Sequence, residues 1–117
     1  MSRRASQAAV LRRGAPVFAA LGDETRLGIV LRLCSSGPAS IASLTEGSGV
    51  TRQAVTKHLR ILEDAGLAHS TREGRETSWQ LLPGGLDEAR ASLDSISRQW
   101  DVALGNLRAF VERPSKD

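Results

Sequence analysis

The sequence has only one cysteine among its 117 residues, no tyrosine, and 3% aromatic residues. One cysteine excludes a disulfide within the chain and a metal cage built from several thiolates. The shortage of aromatic side chains argues against a platform on which single-stranded bases stack. No apolar run approaches the roughly 20 residues of a membrane-spanning helix, and no apolar segment of signal-peptide type follows the basic start. We therefore expect a soluble, cytoplasmic protein with no cofactor and no membrane partner.

The composition is that of a folded domain, with 40% hydrophobic and 25% charged residues. The net charge of +3 does not establish a nucleic-acid partner by itself, because a whole-chain balance hides local patches. Residues 1–22 and residues 51–62 hold basic side chains and no acid, whereas residues 86–113 hold five acidic and four basic side chains. The positive charge is thus concentrated in segments where a polyanion could bind, and duplex DNA suits the low aromatic content better than a single strand does.

The N-terminal third of the sequence predicts an arm and two helices. Because Gly14-Ala15-Pro16 would interrupt a helix, we predict a basic, flexible arm over residues 1–14 and a short helix over residues 15–21. Asp23 is the expected N-cap of a second helix, Glu24 to Cys34. Helical spacing places four of its residues on one apolar face: Leu27, Val30, Leu31 and Cys34.

A helix-turn-helix spacing lies at the centre of the chain. A short helix begins at Ser40, small residues turn the chain at positions 47–50, and a longer helix extends from its N-cap Thr51 to Gly66. The second helix of such a unit enters the major groove of DNA with its N-terminal turns. The side chains at that end suit contacts with base edges: Arg52, Gln53, Thr56 and Lys57. Arg60 lies one turn further along and suits a phosphate contact.

A hairpin and a long helix follow. Residues 67–72 and 76–81 flank a glycine turn and predict two strands, which would form a wing beside the helix-turn-helix unit. Arg72 and Arg75 near its tip would contact phosphates or the minor groove. The last helix, over residues 86–112, carries apolar residues at near-heptad spacing, and residues 113–117 form a tail.

Two stretches and the hairpin tip match a known pattern: FAALGDETRL at residues 18–27, VTRQAVTKHLRILEDAGL at residues 50–67, and REGR at residues 72–75. With them the chain, over roughly residues 16–112, resembles the arsenical-resistance repressor (ArsR) family of bacterial winged-helix transcription regulators. The resemblance implies a winged helix-turn-helix domain over residues 15–112, mainly α with one β-hairpin. It also implies a homodimer joined through the first and last helices, and an operator-binding repressor.

The apolar seam of the last helix agrees with that dimer. The residues expected at the interface are Val17, Phe18, Leu93, Ile96, Trp100, Leu104 and Leu107. Two recognition helices related by a two-fold axis predict an inverted-repeat operator.

The metal-sensing members of the family carry cysteine pairs on the third helix or acidic and histidine ligands on the last helix. This sequence has neither set, so we expect no metal site of those types, while a non-standard site across the dimer stays open. His58 is expected to be structural or close to a phosphate, and His69 to be exposed or packed. Cys34 is expected to be buried as a small apolar residue. A small-molecule or protein inducer is also left open.

Two classes of function remain. The first is a DNA-binding transcriptional repressor, and the second is a protein-interaction adaptor that keeps the fold without an operator. An enzyme is not expected, because the glycines form no phosphate-binding pattern and no catalytic motif is present. We favour the DNA-binding protein, since the polar end of the fourth helix would serve no purpose in an adaptor.

Overall fold

The computed structural model describes residues 3–113, which form five helices and one antiparallel hairpin within that range. In chain order these elements are α1 (Arg3–Leu21), α2 (Glu24–Ser36), α3 (Ile41–Thr45), α4 (Arg52–Asp64), β1 (Ala68–Glu73), β2 (Glu76–Leu81) and α5 (Asp87–Val111). The prediction of a mainly helical domain with one hairpin is confirmed. No helix in the described part of the chain is both long and apolar enough to span a membrane.

The first helix begins earlier than the sequence predicted. The flexible arm is wrong from Arg3 onward, because Arg3–Leu21 is one helix that contains Pro16; residues 1–2 lie outside the described part. Gly14 faces α5 so closely that a Cβ atom there would lie 2.3 Å from Ser92 Oγ. Packing against α5 outweighs the local cost of Gly14 and of Pro16, which removes one backbone hydrogen bond and crowds the carbonyl group four residues earlier.

The buried face of α2 also differs from the prediction. Ile29, Val30 and Leu33 are buried, whereas Leu27 is 42% and Leu31 60% exposed. α2 itself carries apolar residues on more than one side, so their spacing is compatible with two different buried faces. Packing against α4 and the hairpin selects the face that carries Ile29 and Leu33.

Local hydrogen bonds define the helix-turn-helix unit. The hydroxyl oxygens of Ser40 and Thr51 accept from backbone N–H groups at the starts of α3 and α4, as N-caps do. At the end of α4, Gly66 has φ 76°, Gly66 N donates to Glu63 O, and Leu67 N donates to Leu62 O. This is a Schellman motif, which stops α4 and directs the chain into the hairpin.

The hairpin is joined to the helical core along one edge. β1 pairs with β2 in register from Ala68–Leu81 to Glu73–Glu76, and Gly74 begins the tight turn with φ 64°. Trp79, buried on β2, exchanges two backbone hydrogen bonds with Ala39 ahead of α3. The base of the wing is therefore fixed, while its tip extends into solvent.

The last helix packs against the rest only along its first half. Arg13 forms an ion pair with Glu88 at 3.0 Å, and Ser92 Oγ donates to Val10 O at 3.0 Å, so α1 and α5 run antiparallel. From Ile96 to Val111 every residue of α5 is exposed. The radius of gyration is 20.0 Å, against about 13 Å for a compact chain of this length. The projecting half of α5 accounts for the elongated shape.

Candidate nucleic-acid interface

The outer face of α4 carries a row of polar and basic side chains. Gln53, Lys57 and Arg60 are exposed at i, i+4 and i+7, so they stand one above another on the helix. On the opposite side Val55, Leu59 and Leu62 are fully buried. This burial fixes the rotation of α4 about its axis, and the row must point into solvent.

Arg52 and Thr56 lie at one edge of that row. Arg52 is exposed, whereas Thr56 is half-buried and its hydroxyl donates to Arg52 O at 2.8 Å. The Thr56 hydroxyl proton is therefore already used within the helix, and its methyl group and oxygen lone pair remain for a ligand. Of the residues predicted to contact bases, Arg52, Gln53 and Lys57 are exposed and Thr56 is half-buried.

The wing presents two arginines in different ways. Arg72 Nε donates to Gly74 O at 3.3 Å, so this side chain folds back over the turn. Arg75 is exposed in the turn itself. Both arginines lie at the tip of the hairpin, as the sequence predicted.

A junction behind α4 connects three helices through Arg26, which the sequence analysis did not single out. Arg26 Nη1 lies 3.2 Å from His58 Nδ1 on α4. Its Nε donates to Ala20 O at 2.6 Å and its Nη2 to Ala19 O at 3.4 Å, both at the end of α1. The N-cap at Asp23 predicts where the backbone of Arg26 lies, but the reach of its side chain depends on the tertiary fold.

Asp23 completes this junction. Its carboxylate accepts from Arg26 N at 3.0 Å and lies 3.9 Å from His58 Nδ1. The backbone N–H of Arg26 lowers the pKa of Asp23 below its ordinary value of 3.8, and the nearby positive charge of Arg26 acts in the same direction. His58 is thus held from behind by Arg26 of α2 and by Asp23, the N-cap of that helix, and belongs to the scaffold of the surface.

The residues predicted at a dimer interface do not all reach the surface. Val17 is 4% exposed and lies in the core of the protomer, so its placement at the interface was wrong. It was misplaced because α1 packs on the body with one side and on α5 with another. The remaining six are exposed by 38–64%: Phe18, Leu93, Ile96, Trp100, Leu104 and Leu107.

Cys34 and His69 do not form a metal site with other side chains in the described part of the chain. Cys34 is exposed, which corrects the expectation of a buried thiol; it lies on the second apolar face of α2, which the core leaves uncovered. His69 is half-buried, with Nε2 3.0 Å from Gln80 Nε2. Among the described residues no three His, Cys, Asp or Glu side chains form a group that could hold a metal ion.

Comparison with known proteins gives this surface its context. A family model described as a helix-turn-helix domain matches residues 21–71. An HTH-type transcriptional regulator of Mycobacterium tuberculosis is 36% identical over 98 residues, covering 84% of this chain and 88% of that protein. The arsenical resistance operon repressor of Bacillus subtilis is 36% identical over 72 residues, covering 62% of this chain and 69% of that protein.

Solved structures agree with these relatives. An ArsR-like transcriptional regulator from Rhodococcus sp. RHA1 superposes with a TM-score of 0.74 at 35% identity, covering 91% of this chain and 99% of that one. A homodimeric winged helix-turn-helix DNA-binding domain from Mycobacterium bovis superposes with a TM-score of 0.58 at 20% identity, covering 100% of this chain and 96% of that one. This second likeness concerns the fold alone.

The fold and the polar outer face of α4 define a winged helix-turn-helix, DNA-binding transcription regulator. Within that class, the chain belongs to the ArsR family. The resemblance read from residues 18–27 and 50–67 is confirmed, and the protein is a transcription regulator rather than an enzyme.

Proposed function

We propose that this protein is a homodimeric repressor that binds an inverted-repeat operator in duplex DNA. The observation that carries the proposal is the exposed row of Gln53, Lys57 and Arg60 on α4, opposite a fully buried face. An amide, an ammonium and a guanidinium group suit contacts with base edges and phosphates. Residues 51–62 contain no acid that would repel the DNA backbone.

In this proposal the residues near the start of α4 and the other basic residues contact different parts of the DNA. Gln53, Thr56 and Lys57 contact base edges, and Arg52 flanks them. Arg60 and the wing arginines, Arg72 and Arg75, contact the sugar-phosphate backbone or the minor groove. The wing thereby fixes how α4 lies in the major groove.

The dimer is supported by the uncovered seam on α5. Trp100 is 64%, Leu104 51% and Leu107 58% exposed, and they follow one another at helical spacing. Large apolar side chains in such a row normally mark a protein contact surface. The homodimeric domain from Mycobacterium bovis shows that this fold forms dimers in another protein. Two copies of α4 that are related by a two-fold axis and lie about one helical turn of DNA apart, roughly 34 Å, require an inverted repeat.

Selection of genomic DNA fragments with the purified full chain tests the proposal. We expect recovered fragments to share an inverted repeat, and binding to weaken steeply with added salt because neutralised phosphates release counterions. A reporter gene placed behind that operator should be expressed less when the protein is present. Absence of any salt-dependent duplex binding would instead favour a protein-interaction adaptor.

Paired alanine variants then separate base contacts from backbone contacts. Gln53→Ala should weaken binding to the operator by about 1–3 kcal/mol and relax the preference at one base pair. Arg75→Ala should weaken binding to every sequence and lower the salt slope by about one. Equal weakening of operator and random duplex by Gln53→Ala would contradict the placement of α4 in the groove. An unchanged Arg75→Ala titration would make the wing tip a structural turn only.

A further inference from the structure

The junction at Arg26 joins parts of the molecule that have different tasks in the proposed repressor. His58 belongs to the recognition helix α4, and Ala19 and Ala20 belong to α1, whose other side packs on α5. One guanidinium group contacts both, at 3.2 Å from His58 Nδ1 and 2.6 Å from Ala20 O. A single side chain therefore connects the DNA-reading helix with the helix pair proposed to form the dimer.

The contacts of Arg26 with α1 are those of a helix cap. The last four carbonyl groups of a helix have no partner within it, and a positive charge there also complements the helix dipole. Arg26 donates to two of these carbonyls, on Ala19 and Ala20. Movement of α2 at this position would break both contacts, so the end of α1 is tied to Arg26.

The contact with α4 has a defined direction. A guanidinium group can only donate, so His58 Nδ1 is the acceptor. His58 is 21% exposed and lies beside the buried row of Val55, Leu59 and Leu62, on the side of α4 turned away from Gln53 and Lys57. The hydrogen bond therefore holds α4 from behind, where it affects the tilt of the helix and leaves the base-reading side chains free.

The far side of α1 is tied to α5 just as closely. Arg13 pairs with Glu88, and Ser92 donates to Val10 O beside the tight approach of Gly14. The two helices thus form one unit, here called the α1/α5 pair. Any constraint that Arg26 places on α1 is passed to the seam of α5.

We infer that Arg26 and His58 are positioning residues that hold α4 at a fixed angle to the α1/α5 pair and so set the half-site spacing of the operator. The inference rests on the proposed dimeric repressor. One helical turn of DNA, about 34–36 Å, holds about 10–10.5 base pairs, so one inserted base pair both separates and rotates the half-sites. A rigid junction rejects such a change, and a loosened one tolerates it.

The experiment compares binding to two duplexes. One is the inverted repeat recovered by the genomic selection, and the other has one base pair added between its half-sites. The spacing ratio is the dissociation constant for the second duplex divided by that for the first. It is measured for the full-length wild type, His58→Leu, His58→Asn and Arg26→Lys, together with the melting temperature of each protein.

We expect His58→Leu to lower the spacing ratio by about threefold or more, because Leu offers no acceptor to Arg26. His58→Asn should restore most of the ratio, since the Asn side-chain oxygen can accept near the position of Nδ1. Arg26→Lys should lower it, because an ammonium group cannot span two carbonyls and His58 at once. His69→Leu is the matched control: His69 is a half-buried histidine bonded to Gln80 on the hairpin, and its loss should leave the ratio unchanged.

The outcomes separate this inference from the function on which it rests. A wild type that does not distinguish the two duplexes would contradict the proposed two-site binding itself. A wild type that distinguishes them, with His58→Leu showing a lower melting temperature and an unchanged ratio, would make the junction merely structural. If His58→Leu fails to fold, Arg26→Lys decides: an unchanged ratio overturns the inference, and a lowered ratio supports it.

Discussion

Two regions of this protein use their apolar residues in opposite ways. In the body, which comprises α2, α3, α4 and the hairpin, Val55, Leu59 and Leu62 are 0% exposed. In the projecting half of α5, Trp100 is 64% and Leu107 58% exposed. The body completes its core within one chain, whereas α5 carries an apolar surface that the chain itself leaves uncovered. The core of the body therefore does not depend on the projecting half of α5.

The first helix connects the body to the first half of α5. Val17 and Ala20 are buried with the core of the body, while Gly14 faces Ser92 on α5. Because one helix serves both, a change in the way α5 is held reaches the body through α1. Substitutions that act on one region and spare the other can test this division.

The largest expected effect is in the core of the body. Leu59→Ala removes a fully buried side chain, and it should lower the free energy of unfolding by about 2–5 kcal/mol through lost burial and the cavity left behind. Urea unfolding followed by circular dichroism, at one fixed protein concentration, measures this. A loss below about 1 kcal/mol would contradict a tightly packed core around α4.

The same substitution on α5 is the control that sharpens the comparison. Leu104 is 51% exposed, so Leu104→Ala should leave the unfolding of the monomer nearly unchanged. It should instead weaken self-association, which sedimentation equilibrium measures as a higher dissociation constant. Equal losses of monomer stability from both substitutions would remove the distinction between the two regions.

A second prediction concerns the joint between α1 and α5. Gly14→Ala would place a methyl group 2.3 Å from Ser92 Oγ, whose side chain is 1% exposed. We expect a net loss of about 1–2 kcal/mol in the free energy of unfolding, because overpacking exceeds the gain in helix propensity. Adding Ser92→Gly to Gly14→Ala should recover part of it by removing the opposing side chain.

Another helical glycine provides the matched control for that prediction. Gly28 lies within α2, and a Cβ atom there would meet nothing within 4 Å. Gly28→Ala should therefore stabilise the protein by about 0.5–1 kcal/mol. If both Gly14→Ala and Gly28→Ala raised the melting temperature, α1 and α5 would not pack tightly at Gly14.

The glycines of this chain also show which features a sequence can predict. α4 and the hairpin were predicted because the N-cap at Thr51, the stop at Gly66 and the turn at Gly74 agree with the hydrophobic pattern around them. Gly14 was wrongly interpreted as a break in the helix. A glycine is required there because Ser92 packs against it, and Ser92 lies far along the chain. Local rules cannot include a partner that only the tertiary fold brings near.

The candidate site divides in the same way. The polar residues of α4 were predicted from their type and their place at the start of the helix, and the structure presents Gln53, Lys57 and Arg60 on its outer face. Arg26 was missed because its partners come from α1 and α4. The face of α2 was misassigned because apolar residues surround the helix and only packing could choose between two sides.

The smallest expected effect lies at the joint between the body and α1, and it depends on pH. The Arg26 backbone N–H holds the pKa of Asp23 below 3.8 in the folded protein. A lowered pKa means that the unfolded chain binds more protons between the two pKa values, so the carboxylate stabilises the fold above pH 3.8. That contribution is lost as pH falls through the lower, folded-state pKa.

Asp23→Asn keeps an N-cap acceptor without a titrating group. The difference in unfolding free energy between wild type and Asp23→Asn should therefore shrink in acid, and a difference that stays constant from neutral pH to pH 2 would mean that the Asp23 carboxylate is not held by Arg26 in solution.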